Sequence, residues 1–340
     1  MTNKEEKIIS WLLERPGYFK KSAIDTFNFY PWTETSKWNL SIKNFEKVFY
    51  EARRRYKASL TVKPVKIPPI KKVQMPKFGA VFKEKSRKYE EEGLWVILGC
   101  VHVPYHNKAF YYSFLKFLRD NSQKITGLII AGDFVDMEAL SSHDKGNISH
   151  STLDHEYREA NHVLTEIESL LHPDVQKVYI WGNHEDRYNR YMRQVDNSKL
   201  GAALQSPSVA LNLVARGYHV FEDWKKSYVT IGKYLDVLHG EFTNVHTAKK
   251  HLDTYRKSCL YFHTHRKQVY IEGKMGAFNC GSMGDFKKNV FNYASRAMVD
   301  SWTNSFAVVN VDKEGFYHVD IPTWINNRFY FGNKIYSHGN

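Results

Sequence analysis

The sequence predicts an α/β protein, built from layers of helices and strands, that begins with a small basic helical module. Two features predict this arrangement. Short apolar runs alternate with helical stretches beyond about residue 90, and the positive charge is concentrated before that point. Residues 1 to 90 hold 21 Lys and Arg against 9 Asp and Glu, a net charge of +12 out of +13 for all 340 residues. All 16 histidines lie further along the chain, from His102 onward.

Short helices are predicted in the first 60 residues. Apolar residues among charges predict an amphipathic helix over residues 4–14. Apolar residues three and four apart predict another helix from the N-cap Ser41 to the arginines at 53–55, where cations suit a helix C-terminus. Residues 20–25 could open a third helix. Because three small basic helices resemble a helix-turn-helix module, residues 1–60 are assigned to possible nucleic-acid binding, with a packing or oligomerisation role as the alternative.

A linker is predicted over residues 61–90. Four of the ten prolines in the chain lie between residues 63 and 77, where they alternate with lysines. Such a segment is stiff and extended, because proline restricts φ and the like charges repel. The α/β domain then occupies residues 91–340.

The α/β domain is predicted from alternating helical and strand patterns. Helices are predicted over residues 108–120 and 154–171, where apolar residues recur at helical spacing. Strands are predicted from short apolar runs at residues 94–98, 128–131, 178–181, 228–231, 235–238, 268–271, 307–311 and 317–321.

The composition excludes several classes of protein. Cys100, Cys259 and Cys280 are too few and too far apart for a disulfide framework. No apolar run reaches the ~18 residues of a membrane span, and the charged start is unlike a signal peptide. With 42% hydrophobic and 15% aromatic residues, the chain is not a disordered polyelectrolyte. We therefore expect a soluble intracellular protein without a membrane partner.

Polar motifs follow several of the predicted strands directly. An open α/β sheet places its site at the carboxyl ends of its strands, so these motifs are expected to meet. Carboxylate, imidazole and amide groups are also suitable ligands for divalent metal ions. The motifs are Gly99-Cys100-Val101-His102, Gly132-Asp133-Phe134-Val135-Asp136, Gly182-Asn183-His184-Glu185, His239-Gly240 and His263-Thr264-His265.

Together and in this order, the five motifs resemble those of the calcineurin-like metallophosphoesterase family over about residues 93–285. The resemblance implies a two-sheet β-sandwich flanked by helices. It also implies two divalent ions, Mn, Zn or Fe, that clamp and polarise a phosphate. By the same resemblance Asp133 bridges both ions. One ion would further be bound by Cys100, His102 and His265, and the other by Asn183, His239 and His263.

The resemblance also implies roles for residues outside the ligand set. His184 corresponds to the family's non-ligand histidine, which protonates the leaving oxygen or stabilises the transition state. Glu185 or Asp136 would hold its ring in the required tautomer. Arg187 and Arg266, which adjoin motifs, could contact phosphate, although surface cations are the commoner explanation for such residues.

Two positions depart from the family pattern. Phe262 stands where the family usually has Gly before its His-x-His motif. Cys100 stands where the family has an Asp that binds metal directly. Its thiolate could bind a softer ion such as Zn or Fe, or the side chain could be a buried thiol, which would weaken the first metal site.

The residues and the resemblance together predict a metal-dependent phosphoesterase. We favour a phosphodiesterase or nuclease acting on DNA or RNA, because the basic module would recruit nucleic acid. In this reading a metal-bridging hydroxide attacks phosphorus and His184 assists the leaving group. A small-molecule or phosphoprotein phosphatase is one alternative. A nucleic-acid-binding protein whose catalysis is weakened by Cys100 is the other.

The surroundings of the motifs resemble phosphoesterases of bacteriophages and bacteria. The shared features are His102-Val103-Pro104, the run over residues 182–187 and the strand near residues 306–309. Residues 279–282 also resemble the turn that often closes the family's site. We therefore expect a cytoplasmic protein, in the host cytoplasm if it is viral, while the sequence specifies no oligomeric state.

Overall fold

The computed structural model describes residues 42–60, 85–142, 151–194 and 204–338, together with positions 6, 8 to 10 and 12. The chain divides into two compact units, Met1–Ala80 and Val81–Asn340. The first holds the segment predicted as a basic module, and the second holds all five motifs.

The first unit contains helix α1, Ile42–Leu60. Positions 8, 9 and 12 are also helical, which confirms the helical pattern there. The apolar side chains of both segments are buried, as their spacing predicts. They are Ile8, Ile9, Leu12, Phe45, Val48, Phe49 and Ala52.

The predicted end of α1 at residues 53–55 is wrong. The helix continues to Leu60, because the sequence has no Gly or Pro before Pro64. Arg54 pairs with Glu51 at 2.8 Å, and Arg55 pairs with Glu6 at 3.0 Å. The helix predicted over residues 20–25 lies outside the described residues.

In its described residues, the second unit alternates strands and helices, with short 3₁₀ turns at Glu138–Leu140 and Asn289–Phe291. Its strands are β1 Ser86–Tyr89, β2 Gly93–Leu98, β3 Ile125–Ala131, β4 Gln176–Ile180, β5 Tyr218–Phe221, β6 Tyr228–Ile231, β7 Leu235–Val237, β8 Ser258–Tyr261, β9 Lys267–Glu272, β10 Met275–Cys280, β11 Ala307–Val311, β12 Tyr317–Asp320, β13 Arg328–Phe331 and β14 Lys334–Ser337. Its helices are α2 Lys108–Asn121, α3 Leu153–Glu168, α4 Asp186–Met192, α5 Pro207–Ala210, α6 Thr247–Tyr255 and α7 Arg296–Asp300.

Two six-stranded sheets form the body of this unit. One has the strand order β1-β6-β7-β8-β10-β9, and the other has the order β12-β11-β2-β3-β4-β5. Strands β2 to β5 are parallel neighbours, so their carboxyl ends lie along one edge. Strands β7 and β8 of the other sheet are also parallel. The expected α/β architecture of two sheets flanked by helices is therefore confirmed.

The central strands of the second sheet are buried on both faces, whereas the edge strand β12 alternates half-buried and exposed residues. Trp95 and Ile97 of β2 belong to an apolar cluster that joins the two sheets. Val96 and Leu98 belong to another cluster that includes residues of α2 and α3. A strand buried on both faces has a continuous apolar sequence, which is why these strands were predicted to within three residues at each end.

Strand β1, Ser86–Tyr89, falls inside the segment predicted as a linker. It pairs in parallel with β6 from Ser86 to Tyr89, so regular structure begins before the predicted linker limit at residue 90. The other predicted domain limits stay predictions.

Two expectations from composition concern cysteines and membranes. Cys100, Cys259 and Cys280 are all free and buried, so the expected absence of a disulfide framework is confirmed. Within the described ranges, no helix combines the length and the apolar character required to cross a membrane.

Candidate metal centre

The five motif loops meet at the carboxyl ends of parallel strands. The loops after β2, β3 and β4 come from neighbouring strands of one sheet. His239 follows β7, and His263 and His265 follow β8, in the other sheet. Because the two sheets share a core, their strand ends converge on one pocket, which Asp133 and Asn183 line together with His263 and His265.

Two glycines allow the loops to approach one another closely. Gly132 has a φ of +81°, and a Cβ there would lie 2.4 Å from His239 Nδ1. A Cβ on Gly182 would lie 2.1 Å from Asp133 Oδ1. A larger residue at either position would therefore push a motif loop away from Asp133.

Candidate ligands are held in an uncommon backbone conformation. Among the described residues, ten non-glycine residues have a positive φ, and half of them are candidate ligands. This conformation costs about 1–3 kcal/mol per residue and persists where the surrounding structure imposes it. Its concentration here supports a functional site. The five residues are Cys100, His102, Asp133, His263 and His265, with φ between +49° and +60°.

Asp133 is the centre of the cluster. Its Oδ2 lies 3.3 Å from His239 Nε2 and 3.9 Å from Cys100 Sγ. Its Oδ1 accepts a hydrogen bond of 2.9 Å from the backbone N–H of His184. Burial alone would raise the pKa of Asp133, but the imidazoles of His239 and His184 lower it well below its usual range. The side chain is therefore a carboxylate at neutral pH.

His102 and His265 form one ligand pair. Their Nε2 atoms lie 3.0 Å apart, and both side chains are buried. His102 Nδ1 lies 3.0 Å from Asp136 Oδ2, to which it donates, so His102 Nε2 is left with a lone pair. Nitrogen ligands of one ion, each about 2.1 Å from it, lie about this far apart. The pair thus fits a shared metal ion.

His239 and Asn183 form a second ligand pair. His239 Nδ1 donates to the Ala131 carbonyl at 2.9 Å, which directs its Nε2 towards Asn183 Oδ1, also at 2.9 Å. His239 Nε2 and Asn183 Oδ1 at this distance fit either a metal ion bound to both atoms or a proton on Nε2. Burial alone would lower the pKa of His239, but the nearby Asp133 carboxylate outweighs burial and raises it. The His263 ring lies 5.1 Å from that of His239 between centroids, and its Nδ1 is buried without a hydrogen-bond partner. His265 Nδ1 is likewise unpartnered.

Among the described residues, three groups of side chains have donor atoms close enough to bind one ion, within 4.8 Å of one another. The groups are Cys100 with His102 and His265, Cys100 with Asp133 and His239, and His102 with Asp133 and His184.

His184 lies beside the ligands, at the edge of the pocket. Its Nδ1 lies 2.6 Å from the backbone oxygen of Asp136, to which it donates. Its Nε2 lies 3.2 Å from an Arg187 nitrogen and 3.9 Å from Asp133 Oδ2. Burial, and then the charge of Arg187, lower the pKa of His184 to about 3. The ring is therefore neutral at pH 7 in this conformation.

The part of the sequence that carries this site also matches the model of a protein family. The model of the family described as calcineurin-like phosphoesterase matches residues 95–289, more than half of the chain. The chain belongs to the calcineurin-like phosphoesterase family. Members of this family bind divalent metal ions, in agreement with the ligand groups around Asp133.

Solved structures similar to this calcineurin-like phosphoesterase are distant. Vps29 from Entamoeba histolytica in complex with zinc is 14% identical over 71% of this chain and 95% of that chain, with a TM-score of 0.37. A predicted phosphoesterase from Streptococcus pneumoniae is 11% identical over 69% and 91%, with a TM-score of 0.30. A putative 5'-nucleotidase from Staphylococcus aureus is 12% identical over 67% and 52%, with a TM-score of 0.36. A search of curated proteins finds no match.

In this family member, Glu185 does not hold the His184 ring, although the sequence analysis named Glu185 as one of two candidates for that role. Its carboxylate accepts hydrogen bonds at 2.8 to 3.2 Å from the backbone N–H groups of Gly182 and of residues 133–135, and at 2.9 Å from the Tyr179 hydroxyl. It therefore joins the β3 and β4 loops. The other alternative, Asp136, lies beside the ring: its backbone oxygen is 2.6 Å and its Oδ2 is 3.6 Å from His184 Nδ1.

The two candidate phosphate-binding arginines differ in position. Arg187 donates to the backbone oxygens of Asp136 and Met137 at 2.9 and 3.3 Å and lies against His184. We therefore revise Arg187 to a residue that positions His184. Arg266 lies at the pocket, where its Nε donates to Ser301 Oγ at 3.2 Å.

Cys100, the main departure from the family pattern, is inside the cluster. Its Sγ accepts a hydrogen bond of 3.2 Å from the His263 backbone N–H and belongs to two of the three ligand groups. Burial, and then the charge of Asp133, raise the pKa of the Cys100 thiol. The sulfur therefore lies where a ligand would lie, and an ion would have to displace its proton.

Phe262, the second departure, is accommodated by a glycine on the neighbouring loop. The Phe262 ring is fully buried, and a Cβ on Gly99 would lie 2.4 Å from its Cγ. The predicted closing turn is also present. Ser282 Oγ donates to the Cys100 backbone oxygen at 2.8 Å, and the N–H of Met283 donates to the same oxygen at 3.0 Å.

The motif pattern did not reveal two parts of the site. Glu156 of α3 accepts hydrogen bonds of 3.1 Å from the backbone N–H groups of Glu138 and Ala139 and so supports the loop that carries Asp136. Burial, and then the charge of Asp136, raise the pKa of Glu156 to about 8. The other part is an aromatic wall beside His265, for which the signal was the density of aromatic residues directly after the closing turn. Its members are Phe286, Phe291, Tyr293 and Trp302.

Proposed function

We propose that this protein is a metal-dependent phosphodiesterase that cleaves nucleic acid. The observation that carries the proposal is the buried cluster around Asp133, which shares a pocket with His184 and Arg266. Carboxylate, imidazole and amide ligands around one carboxylate suit a pair of divalent ions, and such a pair suits phosphoryl transfer.

Two ions would share Asp133. His102, His265 and Cys100 would complete one site, and Mn, Zn or Fe are the candidate ions. The second site would be completed by Asn183, His239 and His263. When bound, such ions polarise a phosphate ester and make a water nucleophilic near neutral pH. The unpartnered Nδ1 of His263 and the 3.0 Å contact between the Nε2 atoms of His102 and His265 support this assignment.

The remaining side chains would bind and orient the ester. His184 is fixed by the Asp136 carbonyl and turns its Nε2 towards Asp133, where it would face a bound phosphate. In the neutral ring the proton is on Nδ1, so Nε2 would have to take up a proton before it could hydrogen-bond a phosphate oxygen or protonate the leaving oxygen. Arg266 would add a positive charge at the mouth of the pocket.

The choice of nucleic acid as substrate is supported by charge. Nearly all of the excess positive charge lies in residues 1–90, while residues 91–340 carry 28 basic and 27 acidic residues. Lys and Arg gain affinity for nucleic acid by releasing counterions from its phosphates. The basic module and linker would therefore recruit the substrate, in the cytoplasm of a bacterial cell or of a phage-infected host.

Hydrolysis of model esters tests this proposal. The full chain, stripped of metal by a chelator and then supplied with Mn²⁺ or Zn²⁺, is expected to hydrolyse bis(p-nitrophenyl) phosphate. Asp133→Asn is expected to lower kcat/KM at least 100-fold and to reduce the bound metal. Asp236→Asn is the control, because Asp236 is also largely buried but pairs with Thr230 and Lys257.

Other outcomes would favour the alternatives. Hydrolysis of p-nitrophenyl phosphate alone would indicate a phosphomonoesterase with a small substrate. Salt-dependent binding of DNA or RNA with no hydrolysis under either metal would indicate a binding protein. Equal activity in Asp133→Asn and the parent chain would contradict the proposed centre.

A further inference from the structure

The pocket over the candidate metal centre has one polar side and one apolar side. Its volume is about 300 Å³, and its polar side includes Asp133 and His184. Its apolar side includes Tyr293, Met298 and Trp302, from the segment that precedes β11. None of these three residues belongs to the ligand set, to a motif or to the family match over residues 95–289.

The apolar side presents aromatic surface next to a metal ligand. The Trp302 ring packs edge-on against His265, with centroids 4.6 Å apart, and is 8% exposed. The Tyr293 ring lies 6.2 Å from that of Trp302 and is 61% exposed. Met298 is 38% exposed. Exposed apolar surface that lines a polar site is typical of a place where a ligand binds.

This wall is fixed to the ligand loops. The N–H of Thr303 donates to the backbone oxygen of His265 at 2.8 Å, and the N–H of Ser282 donates to the backbone oxygen of Thr303 at 3.0 Å. Arg266 reaches the same segment through its hydrogen bond to Ser301. A group bound against Tyr293 therefore has a defined position relative to a phosphate at the centre.

We infer that the apolar side of the pocket, which includes Tyr293, Met298 and Trp302, is a subsite for the nucleobase of the substrate. In this subsite, Tyr293 stacks on the base adjoining the phosphate at the metal centre. The inference rests on the proposed function and adds the part of the substrate that the site recognises. Stacking on an aromatic side chain is available to every base, because each has a π face. The subsite therefore selects nucleoside esters over simple esters without selecting one base.

The shape and charge of the pocket favour a base over other apolar groups. A volume of about 300 Å³, shared with a phosphate, accommodates one planar ring system. Arg266 is a cation at the same edge, which suits a nucleotide with its phosphates.

The test compares two diesters with the same leaving group in the metal-loaded full chain. They are thymidine 5'-(p-nitrophenyl phosphate), which carries a base, and methyl p-nitrophenyl phosphate, which does not. The parent chain is expected to prefer the nucleoside ester. In Tyr293→Ala the ratio of the two kcat/KM values is expected to fall at least fivefold, whereas Tyr293→Phe, which keeps the ring face, retains the ratio.

Controls separate stacking from other effects. Tyr330→Ala removes a tyrosine of similar exposure, 58%, from β13 and is expected to keep the ratio. Tyr293→Leu keeps apolar bulk without a π face and is expected to behave like Tyr293→Ala. Stronger inhibition by a ten-nucleotide single strand than by thymidine 5'-monophosphate, lost in Tyr293→Ala, would identify a strand as the source of the base; the reverse order would identify a free nucleotide.

Two results would overturn the inference, and they are distinguishable. If both esters are hydrolysed and the ratio is the same in Tyr293→Ala, or is retained in Tyr293→Leu, base stacking is wrong while the phosphodiesterase stands. If neither ester is hydrolysed, the proposed function and the subsite both fail.

Discussion

At the scale of single residues, position 100 bears most directly on the choice of metal. A carboxylate at this position would offer oxygen to a hard ion such as Mn²⁺, whereas a thiolate favours a softer ion such as Zn²⁺. The Cys100 sulfur is within the ligand cluster, although burial, and then the nearby carboxylate of Asp133, raise the pKa of its thiol and disfavour the charged form. The relative affinity of the protein for Mn²⁺ and Zn²⁺ therefore indicates whether the Cys100 side chain binds the ion as a thiolate.

Cys100→Asp is expected to increase the affinity for Mn²⁺ about tenfold relative to Zn²⁺, because it restores an oxygen ligand. Metal titrations of chelator-stripped protein, followed by metal analysis and diester hydrolysis, measure this change. Cys100→Ser, which is close in size, controls for the loss of sulfur. If Cys100→Asp changes neither metal content nor rate while Asp133→Asn abolishes both, position 100 is not a ligand.

The motif pattern predicted which residues cluster better than it predicted what each one does. It brought together Cys100, His102 and Asp133, because strand ends in a parallel sheet share an edge. It could not show that Glu185 turns towards backbone N–H groups, since the direction of a side chain after a motif depends on the local turn. For the same reason, it could not show that Arg187 donates to the Asp136 backbone oxygen and lies against His184.

At the scale of secondary-structure elements, the loops after β2 and β8 pack against each other through one unusual pair of residues, Gly99 and Phe262. Phe262 occupies the position of a family glycine, and Gly99 on the facing loop leaves room for its ring. Of the two buried strands before these loops, β2 was predicted from its apolar run, and β8, Ser258–Tyr261, was not. The contact between Gly99 and Phe262 was not predicted either, because the reason for each of the two residues is apparent only when the other is known.

Gly99→Ala is expected to lower the free energy of unfolding by about 2 kcal/mol or more, since the new methyl group would overlap the buried Phe262 ring. Urea denaturation measures the change. Gly273→Ala is the control: a Cβ there meets nothing within 4 Å, so only its φ of +60° costs about 1 kcal/mol. The double variant Gly99→Ala/Phe262→Leu is expected to recover part of the loss.

An equal effect of Gly99→Ala and Gly273→Ala would contradict this account of the Phe262 position. So would a double variant whose stability is the sum of two independent losses, because residues in contact are expected to couple.

At the scale of the whole molecule, charge and the candidate chemistry are separated along the chain. Residues 1–90 carry +12 of the +13 net charge and no histidine, while the candidate metal centre lies within a nearly neutral domain. Two arginines of α1 pair with Glu51 and Glu6, so lysines provide much of the charge that remains for a partner. A variant that loses nucleic-acid binding is therefore expected to keep hydrolysis of small esters, and a variant that loses hydrolysis is expected to keep nucleic-acid binding.

Replacing four linker lysines by glutamine is expected to weaken nucleic-acid binding and to lower the slope of log affinity against log salt by about 3, because each phosphate contact contributes about 0.7–0.9. Hydrolysis of a small diester is expected to stay constant. The substitutions are Lys63→Gln, Lys66→Gln, Lys71→Gln and Lys72→Gln. The matched control, with the same change in charge on the other unit, is Lys225→Gln, Lys226→Gln, Lys249→Gln and Lys250→Gln.

The same slope in both sets of variants would show that the linker has no special part in binding. A reduced rate on the small diester in the linker variants would instead couple the linker to catalysis, contrary to the separation proposed here.

The central claim, a two-ion centre around Asp133, is tested most directly by anomalous scattering from crystals of the full chain grown with Mn²⁺ or Zn²⁺ and without chelator. The account predicts two anomalous peaks that share the Asp133 carboxylate, one beside His102 and His265 and the other beside His239 and Asn183. Crystals with saturating metal and no peak at Asp133 would contradict it.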